Sequence, residues 1–159
     1  MKAASLRDIK TELNTLSTQE LQELCLRLSR FKQENKELLT YLLFESHNED
    51  AYIDTIKSYI DNELKSINKD SYFYIRKSIR KILRNIKKYI RYSLKKETEV
   101  ELLLYFCYKL KDFKPSIKKS QQLDNMFQRQ LSLSKKIVSK LHEDLQFEFT
   151  ETIEELEAF

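Results

Sequence analysis

Apolar residues recur along this chain at intervals of three and four, the spacing of one face of an α-helix. Leu6, Ile9, Leu13 and Leu16 form the first such stripe, behind a Ser5 cap with Asp8 in the first turn. Ser17-Thr-Gln-Glu20 reads as a capping box that opens a second helix through Leu21, Leu24, Cys25, Leu28 and Phe31. The two should form a compact helix–turn–helix. Neither helix offers a basic recognition face, so the pair is expected to pack rather than read a DNA groove. From Glu34 to Phe44 the pattern turns apolar almost all round, which predicts a helix in the middle of a bundle.

After the break at Ser46-His-Asn-Glu-Asp50, Ile53, Ile56, Ile60, Leu64 and Ile67 mark a fourth helix. The short link Asn68 to Ser71 predicts that it packs antiparallel to a fifth, about Tyr72 to Lys95. Thr98-Glu-Val-Glu101 matches a second capping box, ahead of Leu102, Leu103, Phe106, Cys107 and Leu110. Pro115 closes that sixth helix. A seventh begins near Ser120 and carries Leu123, Met126, Phe127, Leu131, Ile137 and Val138. An acidic eighth, about Asp144 to Leu156, presents Leu145, Phe149, Ile153 and Leu156. The pattern leaves open whether the last two are continuous.

The fifth helix organises the rest. Ile75, Ile79, Ile82, Ile86 and Ile90 fall on one side, and Lys77, Arg80, Lys81, Arg84, Lys88, Arg91 and Lys95 on the other. Residues 65–96 hold twelve Lys or Arg against the single acid Asp70, whereas residues 143–159 hold seven acids and no Lys or Arg. The net charge of +4 hides this segregation into a basic middle and an acidic tail.

Composition narrows the class. The 159 residues include no glycine and one proline, which argues against hairpins, left-handed caps and phosphate-cradling loops. The expected fold is all-α, an irregular bundle of seven or eight helices forming one domain over residues 1–159. N-terminal helices would fill 5–47, a central hairpin with the long basic helix and its successor 48–112, and helices ending in the acidic tail 116–159. Ile79, Ile82, Ile86, Leu103, Phe106 and Phe127 are expected in the core.

Candidate chemistry is sparse. Cys25 and Cys107 sit among apolar neighbours and read as small buried side chains in a reduced protein. His47 with Glu45, Glu49 and Asp50, and His142 with Glu143 and Asp144, each offer one histidine, too few for a metal site. No nucleophile has an evident base, so no catalytic residue, cofactor or metal is assigned and an enzyme is not expected. No stretch has the length of a membrane span, and the Met1 end lacks a hydrophobic signal core, so the expected setting is cytoplasmic.

The pattern Lys10-x-Glu-Leu-x-x-Leu-Ser-x-x-Glu-Leu21, with Glu143-Asp-Leu-Gln-Phe-Glu148, resembles an uncharacterised all-helical bacterial family of unknown function. The resemblance covers short stretches at the two ends and transfers no functional residue.

What remains is a non-enzymatic binding or scaffold module that contacts its partner through the cationic face of helix 72–95. Lys77, Lys81, Arg84, Lys88 and Arg91 are the expected contact residues. The expected partner is an acidic protein surface, with the chain's own acidic C-terminal helix and a second copy among the candidates. The alternative is nucleic acid on the same face, its unpaired bases stacking on Tyr72, Tyr74, Tyr89 or Tyr92 and the acidic tail modulating it. Membrane attachment is not expected, because the apolar side of this helix is needed for a core.

Overall fold

A computed structural model describes residues 1–159. The chain is all-α, as its periodicity predicts, and divides into two compact units, Met1–Phe44 and Glu45–Phe159.

The first unit holds α1 (Leu6–Leu13), α2 (Thr18–Phe31) and α3 (Gln33–Thr40), which runs on as a π-helical turn over Tyr41–Glu45. Both predicted caps form. The Asp8 N–H donates to the Ser5 hydroxyl at 3.2 Å. In the capping box, the Glu20 N–H donates to Ser17 Oγ at 3.3 Å and the Ser17 N–H to Glu20 Oε2 at 2.8 Å. Hydrogen bonds from the Ser17 backbone and hydroxyl hold the Glu20 carboxyl below its ordinary value. Extended backbone at Lys32 ends α2, and Asn35 Nδ2 donates to the Leu28 carbonyl at 2.9 Å across the corner. Within the unit α2 packs on α3 rather than on α1.

Two expectations fail here. The apolar run Glu34 to Phe44 is not enclosed all round: Tyr41 is buried, but Leu42, Leu43 and Phe44 beside it in the π-helical turn are exposed, and none of α1, α2 or α3 has a buried residue. One neighbouring helix covers one stripe, and an all-round apolar helix needs several neighbours. Cys25 likewise lies exposed on α2.

The second unit comprises α4 (Glu49–Lys65), α5 (Tyr72–Ser93), α6 (Lys96–Asp112), a 3₁₀ turn (Ile117–Lys119), α7 (Gln121–Val138) and α8 (Glu143–Glu157). Its centre is α6, which packs against α4, α5, α7 and α8 and buries Leu102, Leu103, Leu104, Phe106, Cys107 and Leu110. All six expected core residues are at most 1 % exposed. The antiparallel packing of α4 and α5 is legible in a descending set of contacts. Tyr52 Oη donates to the Tyr89 carbonyl at 3.0 Å, Asn85 Nδ2 to Tyr59 Oη at 2.6 Å, and Lys81 pairs with Glu63 at 3.7 Å. Between α4 and α6, Asp61 accepts from Tyr105 Oη at 2.9 Å and pairs with Lys109 at 3.0 Å. Helices α7 and α8 are separate, joined by residues 139–142.

Two caps depart from expectation. Thr98 does not cap α6, which begins two residues earlier. Its hydroxyl turns inward and donates to Glu49 Oε1 at 2.7 Å, where Ser93 also donates and Lys95 pairs at 3.1 Å with the other oxygen. A chain without glycine nevertheless ends α5 on a left-handed cap, Leu94, at φ 60° and ψ 0°. The cap closes because the Leu94 N–H reaches the Ile90 carbonyl at 3.0 Å. The apolar side chain itself is 79 % exposed.

Candidate functional site

Helix α5 is 22 residues long, about 33 Å at 1.5 Å per residue. Ile75, Ile79, Ile82, Leu83, Ile86 and Ile90 are buried beneath it, which fixes its rotation and turns the opposite face outward. On that face lies a groove of about 560 Å³, lined by Phe73, Arg76, Lys77, Arg80, Lys81, Arg84 and Gln122. Five side chains there are cationic, and no carboxylate is among the lining residues. Arg76, Arg80 and Arg84 follow at four-residue steps, about 6 Å apart along the helix axis. Glu63 offsets only Lys81, at 3.7 Å. Like charges gathered in one concavity repel one another, and an anion seated among them relieves that repulsion. Phe73 is 61 % exposed and meets Tyr74 edge-on, ring centroids 5.5 Å apart.

Three of the five residues expected to make contact, Lys77, Lys81 and Arg84, line this groove. Lys88 and Arg91 do not. Arg91 is exposed nearer the C-terminal end of the helix, and the Lys88 ammonium lies 5.0 Å from the centroid of the Tyr89 ring. Arg80, read as part of the stripe, joins the groove, and Arg76 and Phe73 are additions. The four-residue spacing of Arg76, Arg80 and Arg84 was the available signal. Nothing local announced Gln122, which α7 brings from 38 residues beyond Arg84.

The tyrosines divide between packing and surface. Tyr72 Oη donates to the Ser116 carbonyl at 2.8 Å, and Tyr89 sits between Tyr59 and Tyr92 at centroid distances of 5.7 and 6.1 Å. Tyr74 alone of the four is exposed, at 47 %.

The acidic helix α8 packs on α6 and α7. Its carboxylates pair there, Glu155 with Lys111 at 2.6 Å and Glu157 with Lys135. The hydrogen bond that Lys111 donates to Glu155 raises Lys111 above the ordinary lysine value. These pairs direct the tail to cations outside the α5 groove.

The remaining reactive groups lie apart from it. Burial pushes the Cys107 thiol up to about 12, and the thiol faces the Phe127 carbonyl at 3.9 Å. His47 is exposed, and His142 Nδ1 accepts the Asp144 N–H at 3.3 Å as the N-cap of α8. No helix is long and apolar enough to cross a membrane. No family model, curated protein or solved structure matches the chain.

Proposed function

We propose that this protein is a non-enzymatic binding module that holds an anionic macromolecule in the cationic groove of α5. The observation carrying this reading is the convergence of Arg76, Lys77, Arg80, Lys81 and Arg84 on one concavity whose lining includes no carboxylate. Arginines at one-turn spacing suit phosphates and carboxylates alike, through paired N–H donors. The aromatic ring favours nucleic acid. Phe73 lines the groove beside exposed Tyr74, and such rings stack on unpaired bases in single strands. An acidic protein surface is the second reading, supported by the same arginine ladder. Two free cysteines accord with a reducing cytoplasmic setting.

The test measures binding of labelled single-stranded RNA and DNA, duplex DNA and a polyglutamate peptide across a salt series. Three to five neutralised phosphates on a single strand give a log–log salt slope of roughly −2 to −3.5. Changing Arg76, Arg80 and Arg84 together to Glu should abolish binding, whereas Lys119→Glu, outside the groove, should leave most of it. Phe73→Ala should weaken single-strand binding by about 1–3 kcal/mol and leave the peptide unaffected. Binding of the peptide alone would transfer the site to an acidic protein. No binding of any probe at low salt would overturn the proposal.

A further inference from the structure

We propose that the Met1–Phe44 unit pairs with the same unit of a second copy of this chain. Helices α1, α2 and α3 have no buried residue, and Tyr41, in the turn that follows them, is the one buried hydrophobic side chain of the unit. Leu6, Leu28 and Phe31 are 86, 58 and 77 % exposed. Of sixteen large hydrophobic residues exposed along the chain, eleven fall in these 44 positions. At roughly 150–250 Å² for an aromatic side chain and somewhat less for Leu, Ile or Met, their exposed fractions, spread over the unit's helices, amount to on the order of 1,000 Å² in all. A standard interface takes about 800 Å² from each partner.

Two features select a second copy as the occupant. First, the unit carries both halves of an interlocking surface. A groove of about 240 Å³ between α2 and α3, walled by Cys25, Leu28, Leu38 and Leu39, has room for a large side chain from outside. Phe31 and Leu43 stand exposed on the same unit. A two-fold pairing, in which residue i meets j and j meets i, fills both grooves at once. Second, charge sets no obstacle. Residues 1–44 hold seven bases and six acids, interspersed, so two copies meet almost neutral. A partner selected by charge would gain little from that balance.

The experiment uses the full chain. Sedimentation velocity from low to high micromolar concentration should show monomer giving way to a species of twice the mass. In parallel, iodoacetamide alkylation of Cys25, exposed on the groove wall, should slow as concentration rises, in proportion to the remaining monomer. Buried Cys107 serves as the unreactive internal control. Leu28→Glu with Leu39→Glu should keep the protein monomeric and make the Cys25 rate independent of concentration. Should that variant lose α1–α3, the concentration dependence of the unmodified protein decides by itself. A monomer at every concentration overturns the proposal. A dimer whose Cys25 reacts equally fast at every concentration does so too, because its interface would lie elsewhere.

Discussion

Two stretches of this chain are almost interchangeable as strings, Leu38-Leu-Thr-Tyr-Leu-Leu-Phe44 in the first unit and Leu102-Leu-Leu-Tyr-Phe-Cys-Tyr108 in the second. Helix α6 is enclosed by α4, α5, α7 and α8, so Leu102, Leu103, Leu104, Phe106 and Cys107 are all buried. The first stretch has α2 beside it in its own unit, and Leu42, Leu43 and Phe44 stay exposed. An all-round apolar run states a demand for neighbours; it does not supply them. The contrast extends to whole units. Of thirty buried hydrophobic residues, twenty-nine lie in Glu45–Phe159, so that unit holds the stability and Met1–Phe44 holds the unsatisfied surface.

The contrast is most open to attack in the core, where the effects should be greatest. Phe106→Ala or Phe127→Ala should cost about 3–5 kcal/mol in urea unfolding, by emptying fully buried sites. Leu26→Ala, at a position 51 % exposed, should cost less than about 0.5 kcal/mol at concentrations where the chain is a monomer. Comparable losses at both positions would show that the first unit has a core after all.

Next in size is the polar cluster at the start of α4. Glu49→Ala removes the acceptor of the Thr98 hydroxyl, which is 1 % exposed, and should cost about 1–3 kcal/mol. Pairing that change with Thr98→Val should recover part of the loss, read from the same unfolding curves. In the first unit Ser17→Ala should cost about 1 kcal/mol, felt locally at the start of α2. Hydrogen exchange at Thr18–Leu21 should rise while α6 amides stay protected.

Leu94→Gly should be neutral to stabilising by about 1 kcal/mol, because the left-handed cap penalises a Cβ there. A fall in melting temperature would mean that the Leu94 side chain does more than its exposure indicates.

The smallest effect is at high pH, again confined to the larger unit. Burial, the largest cause, raises Tyr105 above its ordinary 10.0. The hydrogen bond to Asp61, ahead of that to Tyr105, raises Lys109 above its ordinary 10.5. Folded values above unfolded ones mean a contribution complete below about pH 10 and lost as pH rises through the raised values. Melting temperature should therefore fall more steeply above that pH than in Tyr105→Phe.

What could be read from the residues in order was whatever depends on near neighbours. Helix periodicity, the Ser5 and Ser17 caps, the buried stripe of α5 and the antiparallel α4–α5 turn all follow from side chains a few positions apart. So did most of the cationic groove, because Lys77, Arg80, Lys81 and Arg84 share one helix face by spacing alone. Thr98 looked like a cap because its spacing to Glu101 is right, but Glu49, distant in sequence, offered it a buried acceptor. The acidic tail looked complementary to α5, yet its apolar positions, buried at Ile153 and Leu156, help anchor a helix that packs on α6 and α7. Gln122 reached the groove, and α6 rather than α3 became the centre, for one reason. Burial and proximity depend on which helices converge in space, and a linear pattern records only which face of each is able to be covered.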